Sequence, residues 1–245
     1  MSSSSARPGV APLRVMSALA VELAFKRSLV PAFEAATGRP VEIVWDPTTV
    51  LMRRIGEGER ADAVVLIDNS MDKLVAEGLV RPQTRVSLAD AVLGLAVRKG
   101  APKPDISTLA AFKTALTDAR SIAYSRGGAS GIYFGGLIER LGLAETINAR
   151  ATTIAAGFTA EKLVTGEADL AVQQISELMS VEGVDIVGPF PDEVQVATPF
   201  SAAIFTDAAS PEDAAAFLAS LVSRDADSAY RRGGLVSRLA FPGTD

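Results

Sequence analysis

Residues 58–68 read GERADAVVLID, and the unbroken apolar run Ala63–Ile67 inside them decides the fold. A strand with one face in water alternates polar and apolar residues. Five apolar residues in a row instead fit a strand covered on both faces, as in a parallel sheet. Asp68, Asn69 and Ser70 follow at once as capping residues for a helix over 71–76. Toward the amino terminus, Val41–Trp45 (VEIVW) and residues 13–16 (LRVM) are two further strands. The earlier one leads through Ser17 into Val21, Ala24, Phe25, Leu29, Phe33 and Ala36, which recur at helical steps of three and four. Pro31 should kink or restart that helix, and Gly38 should end it in the left-handed conformation. After VEIVW, Thr48 and Thr49 are N-cap candidates for a helix carrying Leu51, Met52 and Ile55. The result is β-α-β-α-β-α, the order of a doubly wound α/β sheet.

Toward the carboxyl terminus the same alternation resumes. Residues 89–98 (ADAVLGLAVR) form a strand, 109–116 a helix and 121–124 (SIAY) a strand. Residues 125–131 (SRGGASG) then open a helix with Phe134, Leu137, Ile138 and Leu141 on one face. Thr159 caps a helix ending at Gly166, 169–173 (DLAVQ) is a strand, and 174–177 start another helix. Residues 186–191 are a strand end and turn, and 194–205 hold two extended pieces around Pro199. Ser210, Pro211, Glu212 and Asp213 start a last helix with Phe217, Leu218, Leu221 and Val222 on its apolar face. Residues 1–12, rich in serine, read as a disordered leader.

Composition removes several chemistries. The 245 residues include no Cys and no His. Disulfides, thiolate metal sites, a cysteine nucleophile, an imidazole base and a Ser-His-Asp triad are therefore excluded, and no metal or cofactor is expected. The net charge of -5 argues against nucleic acid as a partner. There is no phosphate loop of the usual spacing and no GxGxxG after the first strand, which disfavours kinases and dehydrogenases. Aromatic residues are 6% of the chain, too few for the stacking surface of a sugar site. Residues 1–12 lack the apolar run of a secretory signal, and the stretch from Leu13 is broken by Arg14, Glu22, Lys26 and Arg27, so no membrane insertion is expected. The protein reads as cytoplasmic as the sequence stands, and as periplasmic if a signal has been removed.

The order of these pieces resembles the type 2 periplasmic-binding fold, in its molybdate-binding branch of ABC-transporter solute receptors. The resemblance is carried by LRVMS at 13–17, FEAATG at 33–38, residues 58–68, Ser130-Gly131-Ile132-Tyr133, GEADLA at 166–171, and residues 214–235 with their YRRGGL. It implies two α/β lobes, residues 13–88 with 197–245 and residues 89–196, joined by two crossover strands, with a ligand in the cleft at helix starts. An ABC permease is the partner protein it implies.

A small anion would need donors at those helix starts. Ser17 matches the family's ligand-donating serine, with capping of its own helix as the alternative. Thr48 and Thr49 stand where the family has a serine turn. Gly127, Gly128 and Gly131 let backbone N–H groups approach a ligand, and Ser125 and Ser130 add hydroxyls. Arg126 suits a carboxylate through its two-pronged guanidinium, which plain oxyanion receptors do without. Tyr133, one turn on, either reaches the ligand or packs. Gln173 and Gln174 end a strand, and alternation lets at most one of them face the ligand squarely. Ser176 either caps the next helix or touches ligand. Asp46, Asp68 and Glu22 are taken as caps and solvated acids, because acids oppose an anion.

Two functions follow. The first is a solute-binding protein that captures a small anion, an organic carboxylate, without chemistry. The second is an enzyme on the same fold, since isomerases of small unsaturated tricarboxylates, aconitate isomerase among them, resemble this branch. Such a proton shift needs a base and an acid beside an allylic carbon, and without His these must be Tyr133, a carboxylate or an activated Ser.

Overall fold

The computed structural model describes residues 11–241. The leader expected over residues 1–12 therefore lies outside the described residues, apart from Ala11 and Pro12, which are exposed and irregular. The chain forms two compact units. One holds the described residues up to Asp90 and those from Thr198 onward; the other is Ala91–Ala197.

In unit one, β1 (Leu13–Ser17) lies parallel between β2 (Val41–Trp45) and β3 (Ala63–Ile67). Ala63, Val64, Val65 and Leu66 are fully buried, as a strand covered on both faces requires. The helical segment after β1 changes character along its length. It runs as a 3-10 turn (Leu19–Val21), an α turn (Glu22–Ala24), a π turn (Phe25–Leu29) and an α-helix (Val30–Thr37). Pro31 accounts for this sequence of turns. It has no N–H to give, and its ring crowds the carbonyl four residues back, so the ladder slips by one and Val30 N–H bonds the Phe25 carbonyl. Phe25 and Phe33 then both meet Phe217 edge-on, with centroids 6.1 and 5.1 Å apart. Gly38 closes the helix at φ 69°, the left-handed cap expected of it.

The strand β4 (Val86–Arg98) begins in unit one and carries the chain into unit two. There β5 (Ile122–Ser125) lies parallel between β6 (Thr152–Ile154) and β7 (Leu170–Gln174). The β4 strand runs antiparallel to both β7 and β8 (Val184–Pro189). The core of this unit includes Phe112 against Phe190 (4.7 Å) and Tyr124 against Phe134 (5.3 Å). The chain returns through β9 (Ala197–Ile204), antiparallel on β3, and ends its sheet with β10 (Val236–Ser237) on Ala89 and Asp90.

Several local expectations change. β9 is one strand rather than two pieces around Pro199. Its pairing with β3 begins at Phe200, so the missing proline N–H falls outside that ladder. The helix after β2 is Thr48–Gly56 and its N-cap is Pro47, not Thr48 or Thr49. Pro47 already supplies the extended cap conformation, and both threonines sit inside the first turn. The helix after β3 likewise begins at Asp68 with Ile67 as N-cap. Thr159 does not cap the helix Glu161–Val164; Ala160 does. The last helix is two, Pro211–Ser220 and Arg224–Arg232, the second capped by Ser223. No helix among the described residues is long and apolar enough to cross a membrane.

Candidate functional site

Because β5, β6 and β7 are mutually parallel, their carboxyl ends meet at one edge of unit two. The register sets Ser125 opposite Ile154 and Ala123 opposite Ala171. The glycines of 125–131 are dictated by close approach here. A side chain on Gly131 would overlap the carbonyl of Ser125, and one on Gly127 would lie 2.9 Å from the Ala155 carbonyl oxygen. The helix Ala129–Arg140 can therefore start flush against the strand it follows. Ser125, buried, holds the turn: its Oγ accepts from Gly127 N (3.3 Å) and Gly128 N (3.1 Å), leaving its O–H free to donate. Arg126 N donates to the Ile154 carbonyl at 3.0 Å. Ile132 N bonds the Gly128 carbonyl, so the N–H groups of Ala129, Ser130 and Gly131 are those without an intrahelical acceptor.

The remaining polar side chains of this edge divide into engaged and open groups. Gln173 is engaged. Its Oε1 accepts from Thr159 N (2.8 Å) and Thr159 Oγ1 (3.0 Å), and its Nε2 donates to the Gly157 carbonyl (3.0 Å). It positions the loop after β6, and Thr159 is the partner that sequence reading missed, because nothing local links residues so far apart. Tyr133 is engaged too: its hydroxyl donates to the Val194 carbonyl at 2.9 Å and its ring lies 5.4 Å from the Arg140 guanidinium. Gln174, Ser130 and Ser176 are buried, yet their side chains make no hydrogen bond to any described residue. Ser176 Oγ is wholly shut from solvent in that state. For a hydroxyl so enclosed the cost is about 1–3 kcal/mol while unpaired. The Arg126 side chain is exposed, with no ion pair or hydrogen bond among the described residues. One edge thus presents a free cation, two hydroxyls, an amide and three backbone N–H groups, a set suited to an anion that also accepts from neutral donors.

In unit one, Ser17 ends β1, is fully buried, and donates its hydroxyl to the Ala18 carbonyl at 3.2 Å. Thr48 is partly buried and Thr49 exposed, on the first turn after β2. Trp45 is the register partner of Ser17. The three acids read as solvated are not. Asp46 is ion-paired to Arg54 at 2.5 Å, and Arg54 also holds Glu59 at 2.6 Å; those hydrogen bonds keep the Glu59 carboxyl below its ordinary range. Burial alone would raise the Asp68 carboxyl, but hydrogen bonds from Ser201, Arg238 and Arg85 outweigh it and hold the group low. Arg85 and Arg238 stand 3.2 and 2.8 Å from Asp68. Burial, opposed by Arg238, raises the Asp90 carboxyl. Glu22 is buried and ion-paired to Lys26, whose ammonium lies 5.8 Å over the Trp45 ring. The spacing of Glu22 and Lys26, four apart with the acid first, is the signal that would have found this pair.

No group of three or more His, Cys, Asp or Glu among the described residues can hold a metal ion.

The chain is 40% identical over 222 residues to the aconitate isomerase of Pseudomonas sp, spanning 88% of this chain and 84% of that protein. Among solved structures it is similar to the periplasmic molybdate-binding protein of Azotobacter vinelandii, with TM-score 0.76, 20% identity, and coverage of 91% and 98% of the two chains. It is also similar to the sulfate-binding protein SubI of Mycobacterium tuberculosis H37Rv, with TM-score 0.71, 17% identity, and coverage of 95% and 88%. These two likenesses show the fold, an α/β architecture of the periplasmic-binding type, as the order of strands and helices implied. The family model described as bacterial extracellular solute-binding protein matches residues 13–236, and the chain belongs to that family.

Proposed function

We propose that the chain binds a small unsaturated tricarboxylate and moves its double bond by an allylic proton shift, the reaction of an aconitate isomerase. The observation that carries this reading is the 40% identity to such an enzyme across nearly the whole of both chains. The geometry supports it. Arg126 offers a two-pronged partner for a carboxylate, and Ser130, Gln174, Ser176 and the first N–H groups of Ala129–Arg140 supply neutral donors beside it. Ser125 Oγ, accepting from Gly127 N and Gly128 N, shapes that turn, and Gln173 sets the loop next to it. Tyr133 serves as wall.

In the reaction, a base removes a proton from the methylene carbon. The electron pair spreads over the three-carbon allylic unit into its carboxylates, and a proton returns at the far carbon. Donors fixed on the carboxylates stabilise the charge as it spreads, and the balance is closed, with no oxidant or co-reactant. The test incubates purified protein with cis-aconitate and follows the isomers by chromatography. Appearance of trans-aconitate above a protein-free control supports the reading.

The second reading, a receptor that captures a small organic anion and delivers it to an ABC permease, is favoured by the family description and by the anion-binding neighbours. A rise in melting temperature with the tricarboxylate but no isomer change would select it. Ligand at 100 times its dissociation constant stabilises by about 2.7 kcal/mol.

A further inference from the structure

We propose that unit one holds an anion site of its own, for a small dicarboxylate, in the cavity where the π turn Phe25–Leu29 meets the end of the helix Arg224–Arg232. It shares no residue with the edge of unit two and does not depend on the isomerase reading. The cavity measures about 310 Å³. Its apolar lining is Leu23, Ala24 and Ala229, all buried, and its polar groups are Arg27, Ser28 and Arg232. Gly233 lets the two segments close on each other: a side chain there would stand 3.2 Å from Ala24 Cβ and 3.4 Å from Ala24 N.

The charge of this cavity is one-sided. No acidic residue lines it. Neither Arg27 nor Arg232 has an ion pair or a side-chain hydrogen bond among the described residues. The sequence gives the reason, because no Asp or Glu stands three or four residues from either, where a helix would pair it. Their neighbours do have such partners. Lys26 is paired with Glu22 and Arg231 with Asp227, each four residues back. Of each adjacent basic pair, one cation is neutralised and the other is left at the cavity. Arginine in the last turn of a helix ordinarily answers the bare carbonyls there. Here the Ala229 carbonyl accepts from Gly233 N, that of Tyr230 from Gly233 N and Leu235 N, and that of Arg231 from Gly234 N. Arg232 is therefore free for a ligand. A guanidinium grips a carboxylate through two parallel N–H···O bonds. Two guanidiniums on separate helices suit two carboxylates, and the apolar lining suits the carbon stem that joins them. Ser28, half-buried and without a side-chain hydrogen bond among the described residues, adds a hydroxyl donor.

The test titrates nitrogen-15-labelled full-length protein with succinate at about 0.15 M salt, where loose pairing of exposed charges is screened. Backbone amides are followed one by one by two-dimensional NMR. Wild type and Arg126→Ala should both show saturable shifts at Ser28 and Gly233, with the same dissociation constant. Arg27→Ala and Arg232→Ala should each weaken that binding about tenfold or more, the loss of a charge-assisted contact. Arg232→Lys should fall between, because the charge stays and the fork is lost. Inorganic phosphate should move the same amides only at higher concentration than succinate, since it has no carbon stem for the apolar lining. Absence of a saturable shift at Ser28 and Gly233 would overturn the site, as would shifts confined to residues 125–131. Unchanged affinity in both Arg27→Ala and Arg232→Ala would overturn it too. Phosphate binding there as tightly as succinate would overturn the dicarboxylate assignment.

Discussion

Replacing Gly131 by Ala tests whether the start of helix Ala129–Arg140 is held against β5 as tightly as the site requires. An alanine Cβ there would overlap the Ser125 carbonyl oxygen, and would lie 2.5 Å from the carbonyl carbon and 3.1 Å from the Ser125 Cα. Carbon atoms in contact prefer about 3.5–4.0 Å. The helix start must therefore retreat by more than roughly 1 Å, and backbone rather than a side-chain tip is the obstacle. Overpacking of this kind costs about 1–3 kcal/mol, and the rigidity of both elements puts Gly131→Ala at the upper end. A displacement of about 1 Å in the donors is also enough to cost a hundredfold in a positioned site. Gly135 is the internal control. It lies in the same helix with nothing within 4 Å of its would-be Cβ, so Gly135→Ala should stabilise by up to about 1 kcal/mol through helix propensity alone. Urea unfolding of both variants, with tricarboxylate affinity by calorimetry, reads out the pair. Equal stability of the two, or an unchanged affinity in Gly131→Ala, would refute the close approach on which the site is built.

Ser176→Ala removes a buried hydroxyl that has no partner among the described residues, so the ligand-free protein should be unchanged or slightly more stable in a thermal melt, while affinity falls about fivefold to tenfold. Gln173→Leu strands Thr159 N–H and the Gly157 carbonyl and should cost about 2–3 kcal/mol in urea unfolding, with hydrogen exchange quickening first in residues 155–160. Asp68→Asn should cost about 1–2 kcal/mol at pH 7. The folded-state carboxyl is held low by Ser201, Arg238 and Arg85 against the opposing effect of burial. Its stabilisation is therefore fully present above the ordinary aspartate range and is lost as pH falls through the depressed value, so the two unfolding curves should converge in acid. Asp90→Asn should behave oppositely, neutral or mildly stabilising at pH 7, because burial raises that carboxyl and its charged form is the disfavoured one.

What could be read from residues alone was the part governed by local physics. AVVLI at 63–67 fits a strand covered on both faces, and its parallel pairing with β1 bears that out, while β9 lies antiparallel on its other side. Gly38 and Gly131 were legible because a left-handed cap and a strand-to-helix contact each exclude a side chain. The caps were less legible. Thr48 and Thr159 are good capping residues by type, but Pro47 already holds the extended conformation, and Gln173 draws Thr159 away across a fold contact that no spacing reveals. The acids were misread for one reason. Taken one at a time, Asp46, Asp68 and Glu22 are charges that belong in water, and only the folded chain brings Arg54, Arg85, Arg238 and Lys26 to them. Glu22 and Lys26 were the exception, four apart on one helical face. On function, residue chemistry alone ranks capture of an anion ahead of isomerisation, because no acid–base pair stands out; our proposal puts isomerisation first on the likeness to an isomerase over most of the chain.

The most direct measurement of the central claim follows cis-aconitate by proton NMR in deuterated water with and without the purified protein. An allylic proton shift predicts trans-aconitate accumulating together with deuterium at its methylene carbon, both at rates set by protein concentration, and neither in the control. Isomer ratio and methylene signal that stay with the control, while the same sample shows the tricarboxylate bound, would contradict the claim and leave the protein a receptor.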